Sequence, residues 1–273
     1  MNKKDIRRCL VPLALMLSAH AYAVEPVDRF YVGVGHYWSD NDLDTRWDSS
    51  DGSLGTTINF QRDLGFEDSQ GALFWNVGGS LGEDHQHKFD AFSYDYDDES
   101  VRLLSRDLNI EENTYPAAAA FAGSLDIKIS GLSYTWFFNR SEHHAFGVGV
   151  GAVRYDLSAD LAAALVTEEQ SVSVENRFSE DAWAPMLRAE YVQSLAEHWR
   201  WGAALSYVKK SGGNVSGDAV DAQVKVEYFP WEHFGFSLRY NYNDVDLDFD
   251  RSRFDGNINL KNRGPQLVAV LRY

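Results

Sequence analysis

Few residues in this 273-residue chain are arranged for chemistry. Its eight histidines include two close pairs, His85 with His87 and His143 with His144, whose type suits a metal or a proton relay. Asp40, Asp42 and Asp44 imitate the opening of a calcium loop, but that loop needs glycine at its sixth position and a bidentate glutamate at its twelfth. Neither is present, so the segment reads as a solvated acidic loop. Gly33–Gly35 and Gly147–Gly151 have the composition of phosphate-cradling turns, yet no helical pattern follows either. Cys9 is the single cysteine, which excludes a disulfide framework and a thiolate zinc site. No Gly-x-Ser-x-Gly motif is present. The expectation is a non-enzyme with no catalytic residues, no metal and no cofactor.

Charge narrows the partners. With 25 basic and 41 acidic residues the chain carries −16, and a nucleic-acid binder needs the opposite sign to release phosphate counterions. Aromatics at 14% and only 6 prolines exclude a disordered chain. The first 23 residues read as a signal peptide. Lys3, Lys4, Arg7 and Arg8 precede a short apolar run, Leu10 to Ser18, and Ala21–Ala23 is a small-x-small cleavage site. Their removal leaves 21 basic and 40 acidic residues, a net −19 and no cysteine. Residues 24–273 then form a single exported domain.

The elements that would position any site are strands. Trp199, Trp201, Ala203, Leu205 and Tyr207 alternate with Arg200, Gly202, Ala204 and Ser206; Phe234–Tyr242, Val220–Tyr228 and Phe146–Ala152 do the same. Each run has one large apolar face, one small or polar face, and the length of a tilted membrane strand. A soluble sandwich also alternates, but its second face is well hydrated, whereas here it is rich in Gly, Ala and Ser with isolated charges. Tyr240, Tyr242, Tyr207, Tyr228, Trp199 and Trp201 at the ends of the apolar faces are what interfacial girdles look like.

Strand number follows from four similar short connections, at Leu81–His87, Asn139–Gly147, Leu195–Gly202 and Phe229–Gly235, each with an acidic residue near a histidine and then an aromatic. Most histidines therefore fall in turns. Longer polar segments, 40–69, 98–121, 160–180, 209–217 and 250–256, lie between them. Short turns on one side and long loops on the other define a closed, antiparallel, all-β transmembrane barrel. Ten strands are expected, with eight and twelve as the neighbouring even counts, over about 28–38, 71–81, 87–97, 122–138, 145–157, 182–194, 199–209, 218–229, 232–250 and 256–273.

Pro265, Leu267, Ala269, Leu271 and Tyr273 form an apolar alternation that ends at the terminus. In this the chain resembles the outer-membrane β-barrel superfamily of the OmpA-transmembrane and OmpW type. That resemblance implies residence in the bacterial outer membrane among its lipid and lipopolysaccharide, with the terminal aromatic read by the barrel-assembly machinery. Ten strands exceed the eight usual in those families.

Three strands exchange their apolar face part-way: Leu125–Ile129 against Leu132–Phe138, Tyr242 against Val245–Phe249, and Ile258–Leu260 against Leu267–Tyr273. A one-residue slip at a bulge explains such a swap, with Gly131 and Gly264–Pro265 as hinges. Beyond the hinges apolar residues point inward, either as a small core under loop residues such as Ile58, Phe60 and Phe66 or as a mouth for an apolar ligand. Gln61–Asp68 and Ser105–Glu112 echo one another, through paired strand extensions or by chance.

Keeping each large apolar face to lipid leaves Arg188, Glu190, Arg200, Lys225, Glu227, Arg239 and Arg272 in the lumen, five positive against two negative. The leading expectation is a non-enzymatic barrel with an envelope or passive small-solute role and a narrow polar lumen. A carrier of small apolar molecules and a surface adhesin with acidic loops are the alternatives; oligomeric state is left open. If Tyr273 sits on the lipid face at the periplasmic belt, Tyr273→Ala lowers assembled barrel in cells far more than it shifts the unfolding midpoint of barrel already folded. Immunoblots of unheated outer membranes measure the first and urea titration the second; equal assembly would refute the assignment.

Overall fold

Alternation alone leaves a sheet with two raw edges, which hydrocarbon does not tolerate. A computed structural model shows how the edges are removed. It describes residues 24–49, 56–82, 84–110, 113–115, 117–166, 171–212, 215–250 and 254–273, so the signal segment lies outside the described residues. Ten long antiparallel strands follow in order: β1 (Phe30–Ser49), β2 (Ser69–Leu81), β3 (His87–Leu103), β4 (Ala120–Arg140), β5 (His144–Val166), β6 (Ser171–Ala196), β7 (Trp199–Lys210), β8 (Val215–Tyr228), β9 (Phe234–Asp250) and β10 (Phe254–Arg272). Each pairs with its neighbours in sequence, and β10 returns to β1 from Tyr31↔Arg272 to Ser49↔Phe254. The barrel is closed.

The four tight connections share the end that holds Val24 and Tyr273. They are built by their own polar residues. His85 takes a left-handed backbone (φ 52°) and its Nε2 accepts from Arg29 Nε at 3.1 Å. Ser141 Oγ accepts from the backbone amides of His143 and His144. His87 meets the Tyr134 hydroxyl at 2.8 Å, and the His233 ring stacks on Tyr273. The turn histidines thus contact neighbouring turn and strand residues.

On the other side the strands run well past the expected spans. Segments 40–49, 98–103, 160–166 and 171–180, read above as loop, are paired strand. Asp40, Asp42 and Asp44 accordingly lie along β1, and Asn59 Nδ2 donates to the last two. The reason for the misreading is composition. These stretches are rich in Asp, Ser and Ala, which have weak strand preference, and their pairing is imposed by the ladder below them.

The expected bulges at Gly131 and Gly264–Pro265 are also absent. Register is continuous from His87↔Trp136 to Leu103↔Ala120, and from Phe234↔Leu271 to Asp250↔Asp255. Inward positions stay inward along the whole strand: Ile127, Ile129, Ser133, Thr135 and Phe137 in β4, and Ile258, Leu260, Asn262, Gln266, Val268 and Val270 in β10 are all buried. What changes is the solvent. Within the bilayer the outer face is apolar, with Leu132, Val150, Leu187, Leu205, Leu238 and Leu267 exposed. Above it the outer face meets water and becomes acidic, as at Asp95, Asp97, Asp246 and Asp248, while the inner face becomes apolar. Gly264 serves a different need. Its φ is 158°, and a Cβ there would lie 1.9 Å from the Trp38 carbonyl oxygen, so glycine permits the close approach of β10 to β1.

The extracellular half of the barrel is filled. Leu43, Ile127, Val153, Leu157, Leu161, Val245, Leu247, Ile258 and Leu260 pack with Ile58, Phe60, Leu64, Phe66, Leu104, Leu108 and Phe121 in one buried cluster. The two echoing segments meet here, but not as paired strands: Phe60–Leu64 is a π-helical turn and Leu108–Ile110 a short strand paired to Asn113–Tyr115. Leu64 and Leu108, at equivalent places in the echo, are both buried, and Arg106 Nη2 lies 2.6 Å from Asp63 Oδ2. Burial alone would raise the Asp63 pKa, but hydrogen bonds from Arg62, Arg106 and the Asn59 amide outweigh it and hold the group well below the usual carboxylate range.

A carboxylate depressed in the folded state contributes stability above its ordinary pKa and loses it as pH falls through the depressed value. The cap held by Asp63 therefore survives mild acid. Limited proteolysis of residues 56–68 should stay slow at pH 4 and accelerate only on deeper acidification, whereas Asp63→Asn should be cut several-fold faster at pH 7.

Candidate functional site

The inward positions below the cap form a continuous interior, and its floor is the segment Val24–Asp28, which precedes β1. Val24, Val27 and Asp28 are buried. The Val24 amide donates to the Ala196 carbonyl at 3.2 Å, and Val27 packs on Phe137 and Ala145. Val24 rests on Phe229, Val268 and Val270. Asp28 is the anchor. Arg200 donates to it from Nη1 at 2.9 Å and Nη2 at 2.5 Å, Arg272 Nη1 reaches it at 3.2 Å, and Ser80 Oγ donates to its carbonyl at 2.7 Å. Arg200 Nε also donates to Glu227 at 2.5 Å. Both guanidinium groups lie over the Phe229 ring, at 4.7 and 4.0 Å from its centroid.

A second set of charges lies above the floor. Lys88 Nζ donates to both oxygens of Glu190, at 2.7 and 2.8 Å, and lies 3.3 Å from Asp90. Arg188 sits 3.5 Å from Glu190 and donates to Ser206 at 3.2 Å. Lys225 is 3.3 Å from Glu227. Arg239 donates to Ser237 Oγ at 3.0 Å and covers the Phe74 ring at 5.3 Å. An amide ladder, Gln223 to Asn241 to Gln266, closes the wall beside it. Higher still, Tyr37, Tyr94 and Tyr96 pack edge to face, and Tyr37 and Asn262 both hydrogen-bond, Asn262 Nδ2 also donating to Tyr96 at 2.7 Å. Between these layers is a cavity of about 130 Å³.

Of the seven charged residues singled out in the sequence, Arg188, Glu190, Arg200, Lys225, Glu227 and Arg239 line this cavity, and Arg272 lies below it on Asp28 and Phe229. The five-to-two balance does not hold. Lys88 adds a cation, and Asp28, Asp90 and Asp221 add carboxylates, so six cations face five carboxylates. Lys88 and Asp90 were legible, since they alternate with the outward Phe89, and Asp221 with Val220 and Ala222. Asp28 was not: it opens the expected span 28–38, but β1 begins at Phe30 and Asp28 belongs to the floor segment instead.

No protein-family model matches the chain, and no curated protein matches it by sequence. Solved structures do. The outer membrane protease OmpT of Escherichia coli superposes with a TM-score of 0.51 at 10% identity, over 89% of this chain and 97% of that one. The fold is that of an outer-membrane barrel. Such identity carries the architecture alone. Two further barrels match with lower scores: the transport unit of the autotransporter AIDA-I from Escherichia coli (TM-score 0.43, 9% identity, 94% and 92% covered) and the Ralstonia pickettii toluene transporter TbuX (0.39, 11%, 95% and 93%). The apolar band, the girdle of exposed Trp38, Trp183, Tyr207 and Tyr242 above it, and that of Phe30, Trp136, Trp199 and Tyr273 below it agree with an outer-membrane location.

Removing one member of a buried ion pair leaves the other charge uncompensated, at about 3–5 kcal/mol. Arg200 bridges two carboxylates whose side chains are 4% and 2% exposed. Arg200→Ala is therefore expected to lower unfolding stability in micelles by about that amount, read as a shift of the urea midpoint. A midpoint within error of wild type would show that water already screens the network.

Proposed function

We propose that the protein is a non-enzymatic outer-membrane barrel with an envelope role, whose lumen is sealed at both ends rather than held open for passive solutes. One observation carries this reading: the Asp28–Arg200–Arg272 clamp closes the periplasmic end, while the loop core around Phe60, Phe66 and Phe121 closes the outer one. Ten strands leave little interior beyond what side chains fill, since open aqueous channels belong to barrels of about sixteen. The apolar mouth expected of a carrier for apolar molecules is occupied by the chain's own cap. Its acidic outer rim, at Asp95, Asp97, Asp246 and Asp248, supports a surface role facing lipopolysaccharide or the medium.

Removal of a signal peptide near Ala23 belongs to the same reading, because Val24 is tucked into the floor and a further apolar segment would have to leave through it. Assembly through the terminal aromatic is supported by the exposed Tyr273, while the ten-strand architecture supports an outer-membrane barrel in general rather than the OmpA-transmembrane and OmpW types in particular.

In planar bilayers the wild-type barrel is expected to give no steps or rare small ones. Refolded protein lacking residues 1–28 should conduct more often, because the floor and its clamp are gone and the retained cap is the remaining barrier. Large, stable openings of the wild type would overturn the sealed reading.

A further inference from the structure

Above the bilayer the barrel wall is not laddered all the way round. β2 begins at Ser69, where it pairs with Asp40 of β1, but its pairing with β3 stops at Leu73↔Asp95. Among the described residues β3 then pairs with β4 alone, from Asp97↔Asp126 to Leu103↔Ala120. Two hydrogen bonds at the ends of that ladder fix where its backbone groups point. Phe137 N donates to the Gln86 carbonyl at 2.9 Å, and Leu104 N donates to the Ala119 carbonyl at 3.0 Å. Register between them is unbroken, so even-numbered residues of β3 turn their amides and carbonyls to β4 and odd-numbered ones turn theirs away. The backbone groups of Asp97, Glu99, Val101 and Leu103 therefore have no partner strand among the described residues.

The cap segment passes nearby without taking this edge. It meets β3 through side chains at even positions: Asp98 accepts from the Glu67 amide, Ser100 Oγ donates to the Leu64 carbonyl and Arg102 Nη1 to the Arg62 carbonyl. Exposure gives the same answer independently. Val101 is 84% exposed, whereas Val34, Val148 and Val150, outward on strands flanked on both sides, are 52%, 45% and 56% exposed. A side chain that open lacks a neighbouring strand.

Unpaired strand edges recruit further strands. The charges of this one select the guest. Asp97 and Glu99 face outward, and no basic group lies within 4 Å of either among the described residues; Lys128 pairs with Asp95 instead, at 3.3 Å. Asp97 also stands directly opposite Asp126, in a pair that exchanges no hydrogen bonds and so brings the side chains closest. Like charges so placed are destabilising, and a cationic side chain laid alongside relieves them. Higher on the strand, Val101 and Leu103 stand beside Ala122 and Ala120 as a small apolar strip. A second copy does not fit. In the same bilayer its β3 also ascends, so it offers only a parallel strand, with its own Asp97 and Glu99 added to the repulsion.

We propose that the β3 edge from Asp97 to Leu103 docks an extended segment of another protein, added as an antiparallel strand. Basic side chains of the guest lie against Asp97 and Glu99, and apolar ones against Val101 and Leu103. This goes beyond the envelope role and does not depend on the lumen being sealed; it uses only the placement of this end outside the cell.

The test is fluorescence anisotropy of labelled peptides with the full-length, detergent-solubilised barrel, its fold checked by the faster gel migration of unheated protein. The probe is Val-Thr-Val-Thr-Lys-Thr-Lys, whose order sets valines against Leu103 and Val101 and lysines against Glu99 and Asp97 in the antiparallel sense. It is expected to bind at least tenfold more tightly than the same peptide with glutamate for both lysines. The same margin is expected over a version N-methylated at its second valine and first lysine, whose amides face β3. Asp97→Lys combined with Glu99→Lys should invert the charge preference. Should that variant fail to fold, the three peptides on wild type decide by themselves. Equal binding of the N-methylated peptide would mean an electrostatic contact without strand addition and would overturn the proposal. So would the absence of saturable binding, equal affinity for the lysine and glutamate peptides, or an unchanged preference in the folded variant.

Discussion

In hydrocarbon no backbone amide or carbonyl can be left to water, and the rest of this molecule follows from that constraint. A sheet meets it only by closing, which the β10–β1 pairing achieves. Closure commits every residue of every strand to one of two faces, because side chains alternate with period two. The outward face is then chosen by the membrane. The inward face is left to be filled, and ten strands enclose more space than backbone and small residues occupy. Glycines at 147, 149 and 151 narrow part of β5, and bulky or charged residues take up the remainder. The interior charges are thus a consequence of closure: positions that cannot face lipid, packed where water is scarce, and made tolerable by pairing.

Pairing is not uniform along the axis. At the floor Arg200 is met by two carboxylates and an aromatic face, and Phe229, Val268 and Val270 are almost wholly buried, so this layer behaves as a packed core with charges in it. Midway the groups loosen into a cavity edged by Asn76, Asn243, Asp221 and Arg239. Above the tyrosines the interior is mainly apolar, with Thr45, Asp63 and Ser100 as its buried polar members. The three layers share the same strands and register, and differ only in what the outer face touches at that height. A strand that leaves the bilayer is in effect turned inside out chemically while its backbone continues unchanged.

That continuity explains which features could be read from the sequence. Strand number was legible, because the four turns from Leu81–His87 to Phe229–Gly235 repeat a recognisable acid–histidine–aromatic pattern. The lumen positions Arg188, Glu190, Arg200, Lys225, Glu227, Arg239 and Arg272 were legible for a similar reason, since each is flanked by large apolar residues whose lipid exposure is unambiguous. The extracellular extensions were not. Val245 and Leu247 obey the same inside phase as Arg239 and Asn241, yet a reader following the apolar face sees a swap at Tyr242 and infers a bulge. The error lay in holding the solvent fixed and letting the backbone shift. Asp28 was hidden more deeply, because it was read as the first residue of a strand that in fact begins at Phe30, and its partners show only through the fold, as Arg200 and Arg272 converge from β7 and β10.

The two seals are different in kind, and this gives the barrel a direction. The outer seal is a hydrophobic core to which all ten strands and several loop segments contribute, from Tyr37 to Leu260, and it opens only if many contacts separate together. The inner seal is five residues long. Its strongest contacts are ion pairs and hydrogen bonds from Arg200, Arg272, Ser80 and Ser194, which water can replace one at a time as the segment peels back from Val24. Opening at the periplasmic end is therefore the cheaper motion, and the cavity floor moves with it. On the sealed reading, any exchange with the interior would run through this floor, while the apolar cap keeps the other end closed.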